Sequence, residues 1–107
     1  MYTKQEITRF IGLFCESKDM FMNGLCYWFA VILERRFTNS SIWYEPIMNH
    51  FVTKIGNSYY DASGVAKDAN YTKWSEYVWD DPIHAERIIR DCVIQTGGEF
   101  NARDYEN

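Results

Sequence analysis

Leu25-Cys26-Tyr27-Trp28-Phe29-Ala30-Val31-Ile32-Leu33, followed at once by Glu34-Arg35-Arg36, decides how the rest of the chain is read. The run is apolar almost all round, and its far end is basic, where Lys and Arg complement the negative end of a helix dipole. These features predict a central buried helix that starts after the Asn23-Gly24 turn and ends near Phe37. A strand is the competing reading of the same residues, and the basic far end favours helix. Nine apolar residues are too few to span a bilayer.

Working toward the N-terminus, Thr3-Lys4-Gln5-Glu6 matches a capping box, and Ile7, Phe10, Ile11 and Phe14 follow at helical spacing. A first amphipathic helix is expected there, ending near Ser17, with Met20 to Gly24 breaking the pattern. Working toward the C-terminus, Ile42 to Tyr44 and Ile47 to Ile55 are rich in β-branched and aromatic residues, with Pro46 bending the chain between them. Gly56-Asn57 reads as a two-residue hairpin turn into Ser58 to Ala62. Ser63 to Trp79 has no sustained period and reads as loop with at most a short strand or turn. Asp81-Pro82 then starts a helix with the stripe Ala85, Ile88, Ile89, Cys92 and Val93, stopped by Gly97-Gly98 and followed by a polar tail from Glu99 to Asn107. The expected fold is therefore α+β: N-terminal helices, one of them buried and bearing Cys26, packed on a small antiparallel sheet, with a C-terminal helix.

Composition narrows the function. At 107 residues, with 47% apolar and 24% charged residues, the chain is expected to form one globular domain over residues 1–107. A net charge of −4 with interspersed signs offers no clustered basic face for nucleic acid. The N-terminal segment lacks the pattern of a secretion signal, so the expected setting is cytoplasmic and no membrane partner is expected. Three cysteines at positions 15, 26 and 92 fit neither a disulfide framework nor a zinc site, and with only His50 and His84 beside them no metal or cofactor is expected. The oligomeric state is left open.

Cys26 stands two residues after Gly24 at the expected helix start, where free amides and the helix dipole favour a thiolate. His50 lies on the following strand segment, where a neutral imidazole could take the thiol proton. If Gly56-Asn57 is a two-residue turn, Ile55 faces Ser58, Lys54 faces Tyr59 and Val52 faces Asp61, which puts Asp61 on the diagonal beside His50 and on the same face. A turn of three or five residues would reverse that parity.

Asn23-Gly24-Leu25-Cys26-Tyr27-Trp28-Phe29-Ala30 and Asn49-His50-Phe51-Val52-Thr53-Lys54-Ile55 together resemble papain-like and NlpC/P60-like cysteine peptidases over roughly residues 20 to 64. The resemblance implies a helix-borne nucleophile, Cys26, a strand-borne base, His50, and an orienting carboxylate, Asp61, with Asn23 and the Cys26 amide as oxyanion donors. Only 23 residues separate Cys26 from His50, fewer than that group usually has, so a stripped-down variant is implied. The implied activity is hydrolysis of a peptide or protein amide or isopeptide, or a related acyl transfer. The alternative is a non-enzymatic, acidic protein-binding module, such as a small inhibitor of phage or mobile-element type. It would engage a partner through aromatic anchors among Trp43, Trp74 and Trp79. Trp43, Tyr44, Trp74 and Trp79 could otherwise line a groove, although rings in so short a chain belong mostly to the core. His84 reads as a solvated side chain in the first turn of the last helix.

Overall fold

The computed structural model describes residues 2–22 and 24–95, and of residues 92–95 the backbone alone. Thr3 caps α1 (Lys4–Gly12): its hydroxyl accepts from the Glu6 amide at 3.1 Å, as the capping box requires. Ile7 and Ile11 are the buried positions of that helix. The helix ends five residues short of Ser17, because Cys15–Ser17 forms a 3-10 turn and Lys18–Met22 a separate five-residue helix, α2. The expected break at Met20 is thus corrected: burial of Phe21 holds a helical turn where periodicity shows none.

The decisive apolar run is the helix α3 (Cys26–Arg36), ending at Phe37. Its all-round apolar character has a structural cause, since the helix feeds two clusters at once. Phe29, Ile32 and Leu33 pack with Ile7, Ile11 and Phe21, whereas Cys26 and Ala30 pack with Ile42, Tyr44 and Phe51.

Five short strands form one antiparallel sheet among the described residues: β1 (Ser40–Glu45), β2 (His50–Ile55), β3 (Ser58–Asp61), β4 (Gly64–Val65) and β5 (Thr72–Lys73). Their spatial order is β4-β3-β2-β1-β5. The expected strand from Ile47 is corrected, because residues 46–49 are a turn and pairing resumes only at His50 opposite Glu45. Asn49 closes that turn at φ 52°, a left-handed conformation that Asn tolerates better than most residues. Gly56 does the same for the next hairpin at φ 64°. Alternation then sorts the strands into two faces: Phe51, Thr53 and Ile55 are buried under α3, while His50, Val52 and Lys54 point to the opposite side. Thr53 locks the layers together by donating its hydroxyl to the Ala30 carbonyl at 2.9 Å.

The segment from Ser63 to Trp79 is more ordered than its sequence suggests. Besides β4 and β5 it contains α4 (Trp74–Asp80), whose start has no side-chain cap and which is fixed instead by ring contacts of Trp74 with Phe51 and of Tyr77 with Tyr44. Asp81 accepts from the His84 amide at 3.2 Å at the start of α5 (Pro82–Gln95), with Ala85 and Ile88 facing inward. The expected roles of Cys92, Val93, Gly97-Gly98 and the tail from Glu99 lie outside the described residues. The architecture is N-terminal helices, one bearing buried Cys26, packed on a small antiparallel sheet and followed by C-terminal helices. No helix among the described residues is long and apolar enough to cross a membrane.

Candidate functional site

The turn at Gly56-Asn57 pairs Ile55 with Ser58 and Lys54 with Tyr59, the register expected from a two-residue loop. It brings Asp61 beside His50 on the outer face of the sheet, and Nε2 of His50 donates to Oδ2 of Asp61 at 2.9 Å. The other carboxylate oxygen accepts from the Ser63 amide at 2.8 Å and from the Ser63 hydroxyl. Burial raises the Asp61 carboxyl, but the bonds from His50 and Ser63 outweigh it and leave the group below the usual carboxylate range. The hydrogen bond to Asp61, and after it one to the Cys26 side chain, pushes the His50 imidazole up to about 9 against the lowering effect of burial. At neutral pH the ring is a cation.

Cys26, at the first position of α3, is 9% exposed, and its thiol donates to the Asn49 carbonyl at 3.8 Å. Asn49 is held in turn by the Tyr44 hydroxyl, which donates to its side-chain oxygen at 2.6 Å. Asn23 lies outside the described residues. A cavity of about 390 Å3 opens above His50 and Asp61, and Cys26 is not among the described residues that line it. Its wall includes Glu45, whose two oxygens accept from the amides of Ile47 and Met48 at 2.9 and 2.5 Å. No grouping of three His, Cys, Asp or Glu residues that could hold a metal ion occurs among the described residues.

A second surface lies at the elbow between α4 and α5. Trp79 is 84% exposed and Ile83 76%, and Val78, Trp79 and Pro82 line a shallow depression with Ser75. Beneath it Trp74 stacks on Tyr77 with ring centres 5.4 Å apart, and Tyr77 hydrogen-bonds His84 at 2.6 Å, tying the two helices. Of the other aromatic candidates, Tyr44 is buried. Trp43 is half-buried on the outer sheet face, where it and Tyr59 flank the Lys54 ammonium.

A family model described as Phage YunG-like protein matches residues 5–92, which takes in the sheet, the cavity and the elbow. The chain belongs to the Phage YunG-like family. No curated protein and no solved structure was found to match it. Membership overturns the resemblance to papain-like and NlpC/P60-like peptidases, and with it the reading as a thiol-dependent hydrolase or acyl transferase. Cys26 is packed in the core and is not among the described residues that line the cavity above His50 and Asp61. His50 and Asp61 do meet as their register requires. Glu45 and the elbow residue Ile83 were not singled out by sequence reasoning. The usable signal was a carboxylate just ahead of Pro46 and a turn, and an apolar pair interrupted by Asp80-Asp81-Pro82.

Proposed function

We propose that this Phage YunG-like chain is a non-enzymatic protein-binding module, of the kind that serves as a small inhibitor, and that the α4–α5 elbow is its docking surface. The observation that carries the reading is the exposure of Trp79 in one depression with Val78 and Pro82, with Ile83 also exposed at the start of α5, since a large ring left in water on a rigid support is what a binding hot spot requires. Support comes from below, where the stacked Trp74 and Tyr77 remove the entropy cost of ordering the elbow at contact. Selectivity comes from the rim. Between Glu76 and Ile83 the chain carries three carboxylates, Glu76, Asp80 and Asp81, and no basic residue, which suits a partner with Lys or Arg around an apolar hollow. A cytoplasmic setting belongs to the same proposal, because the free thiols Cys15 and Cys26 suit a reducing compartment.

The test is affinity capture of host proteins by the wild-type chain, Trp79→Ala and Ile83→Asp, with circular dichroism confirming that all three fold alike. A partner held by the wild type should fall at least about tenfold in both variants, the loss expected for a hot spot. It should also elute at moderate salt. Equal capture by all three proteins would sink the elbow as the docking surface.

A further inference from the structure

The cavity on the outer sheet face has a chemistry of its own. Its polar wall is formed by Glu45, His50, Asp61 and the exposed Ser63, with Met22, Met48 and Tyr71 beside them and the exposed Lys67 and Asp68 completing the lining. Most of the donors on that wall are already used. His50 Nε2 and the Ser63 hydroxyl both donate to Asp61, and the Tyr71 hydroxyl donates to the Lys67 carbonyl at 2.7 Å. The Lys67 ammonium is on an exposed residue of the lining. The acceptors are not used up, since each carboxylate oxygen has lone pairs beyond the bonds it receives.

Glu45 sharpens the asymmetry. It is 5% exposed, bonded only to two neutral amides, and has no ion-pair partner among the described residues. Its cross-strand neighbour His50 is turned to Asp61 instead. The two amides take one lone pair on each Glu45 oxygen and the cationic His50 on the same wall is spent on Asp61, which leaves room for a further cation to approach Glu45 from the cavity. The field in the cavity has the matching sign: the Tyr71 phenol is raised, first by burial and then by the charges of Asp61, Glu45 and Asp68.

We propose that this cavity is a binding site for an ammonium or guanidinium group on an aliphatic stem, its charge set against Glu45 and Asp68 and its stem lying between Met22, Met48 and Tyr71. Methionine suits that role because its flexible, polarisable side chain moulds to a methylene chain, and a tyrosine ring adds a face that attracts cations. The inference rests on the binding-module reading only for the natural source of the cation, a Lys or Arg side chain of the partner protein. A free diamine offers the same chemistry.

The experiment is methyl NMR on the full chain labelled at its methionines, titrated with N-acetyl-arginine methylamide, the equivalent norleucine and glutamate derivatives, and putrescine. The arginine compound is expected to shift Met22 and Met48 saturably while the norleucine compound leaves them in place. Glu45→Gln should weaken the response by at least about tenfold. Asp68→Asn, at an exposed position that cannot unsettle the fold, should weaken it roughly two- to fivefold. A response to arginine that persists in Trp79→Ala, whose partner capture is lost, would show the cavity acting apart from the elbow. A higher affinity for capped arginine than for putrescine assigns the cation to a protein side chain, and the reverse assigns a free diamine; either keeps the site. Equal shifts with norleucine, tighter binding of glutamate, or unmoved Met22 and Met48 methyls at saturating arginine would overturn the proposal.

Discussion

The outer sheet face around His50 and the elbow at Trp79 solve opposite problems. At His50 the chain gathers polar and charged groups and satisfies them internally: one carboxylate collects an imidazolium, an amide and a hydroxyl. At Trp79 it leaves an aromatic ring in water and satisfies nothing. A polar cluster satisfied from within contributes to folding, whereas an apolar surface left bare stabilises little until something covers it. The two regions should therefore respond to substitution in opposite ways, one in stability and the other in association.

The largest effect on stability is expected from Asp61→Ala, which leaves the half-buried imidazolium of His50 and the Ser63 amide without their acceptor. A loss of roughly 2–3 kcal/mol in urea unfolding is expected, below the full cost of a deeply buried pair because both groups keep some contact with water. Little change there would mean that the cluster is decorative and the contrast with the elbow false. The same pair sets a pH dependence whose sign can be worked out. His50 is raised from 6.5 to about 9 on folding, so its contribution is complete below about pH 6.5 and lost as pH rises through 9. Asp61 is lowered from 3.8, so its contribution is present above that pH and lost as pH falls through the depressed folded value. Melting temperature should thus be highest between about pH 4 and 6.5 and fall toward pH 9. The alkaline fall should be absent in His50→Gln.

A smaller loss, about 1 kcal/mol, is expected for Thr53→Val, which removes the single bond from the sheet to the Ala30 carbonyl while keeping the packing volume. Thermal unfolding would measure it. Smallest of all, Trp79→Ala should change unfolding by no more than about 0.5 kcal/mol, since the ring touches mostly solvent. A large destabilisation there would reassign Trp79 from partner contact to core.

Most of the layered fold was legible because its signals are local. The capping box at Thr3, the basic end at Arg35-Arg36 and the turn at Gly56-Asn57 each specify backbone geometry within a few residues, and the parity of that turn was enough to place Asp61 against His50. Two helices were not legible. Lys18–Met22 and Trp74–Asp80 are short, the second starts without a side-chain cap, and each is held by rings outside it, Phe29 against Phe21 and Phe51 against Trp74. What the gathered residues do was less legible still. Spacing could bring Cys26, His50 and Asp61 together, but it could not show that the ring would be held as a cation or that Cys26 would be packed in the core, outside the cavity's described lining. Nor does spacing reveal Glu45, which is enclosed only once residues 46–49 turn and the Ile47 and Met48 amides bond its carboxylate.

The two outermost strands, β4 and β5, are only two residues long each. Such stubs offer a foreign strand almost no ladder to extend, so the sheet is a poor template for end-to-end growth. The exposed ring of Trp79 belongs to the helix α4 and to neither outermost strand, so the bare aromatic side chain and the ends of the sheet are separate features of the surface.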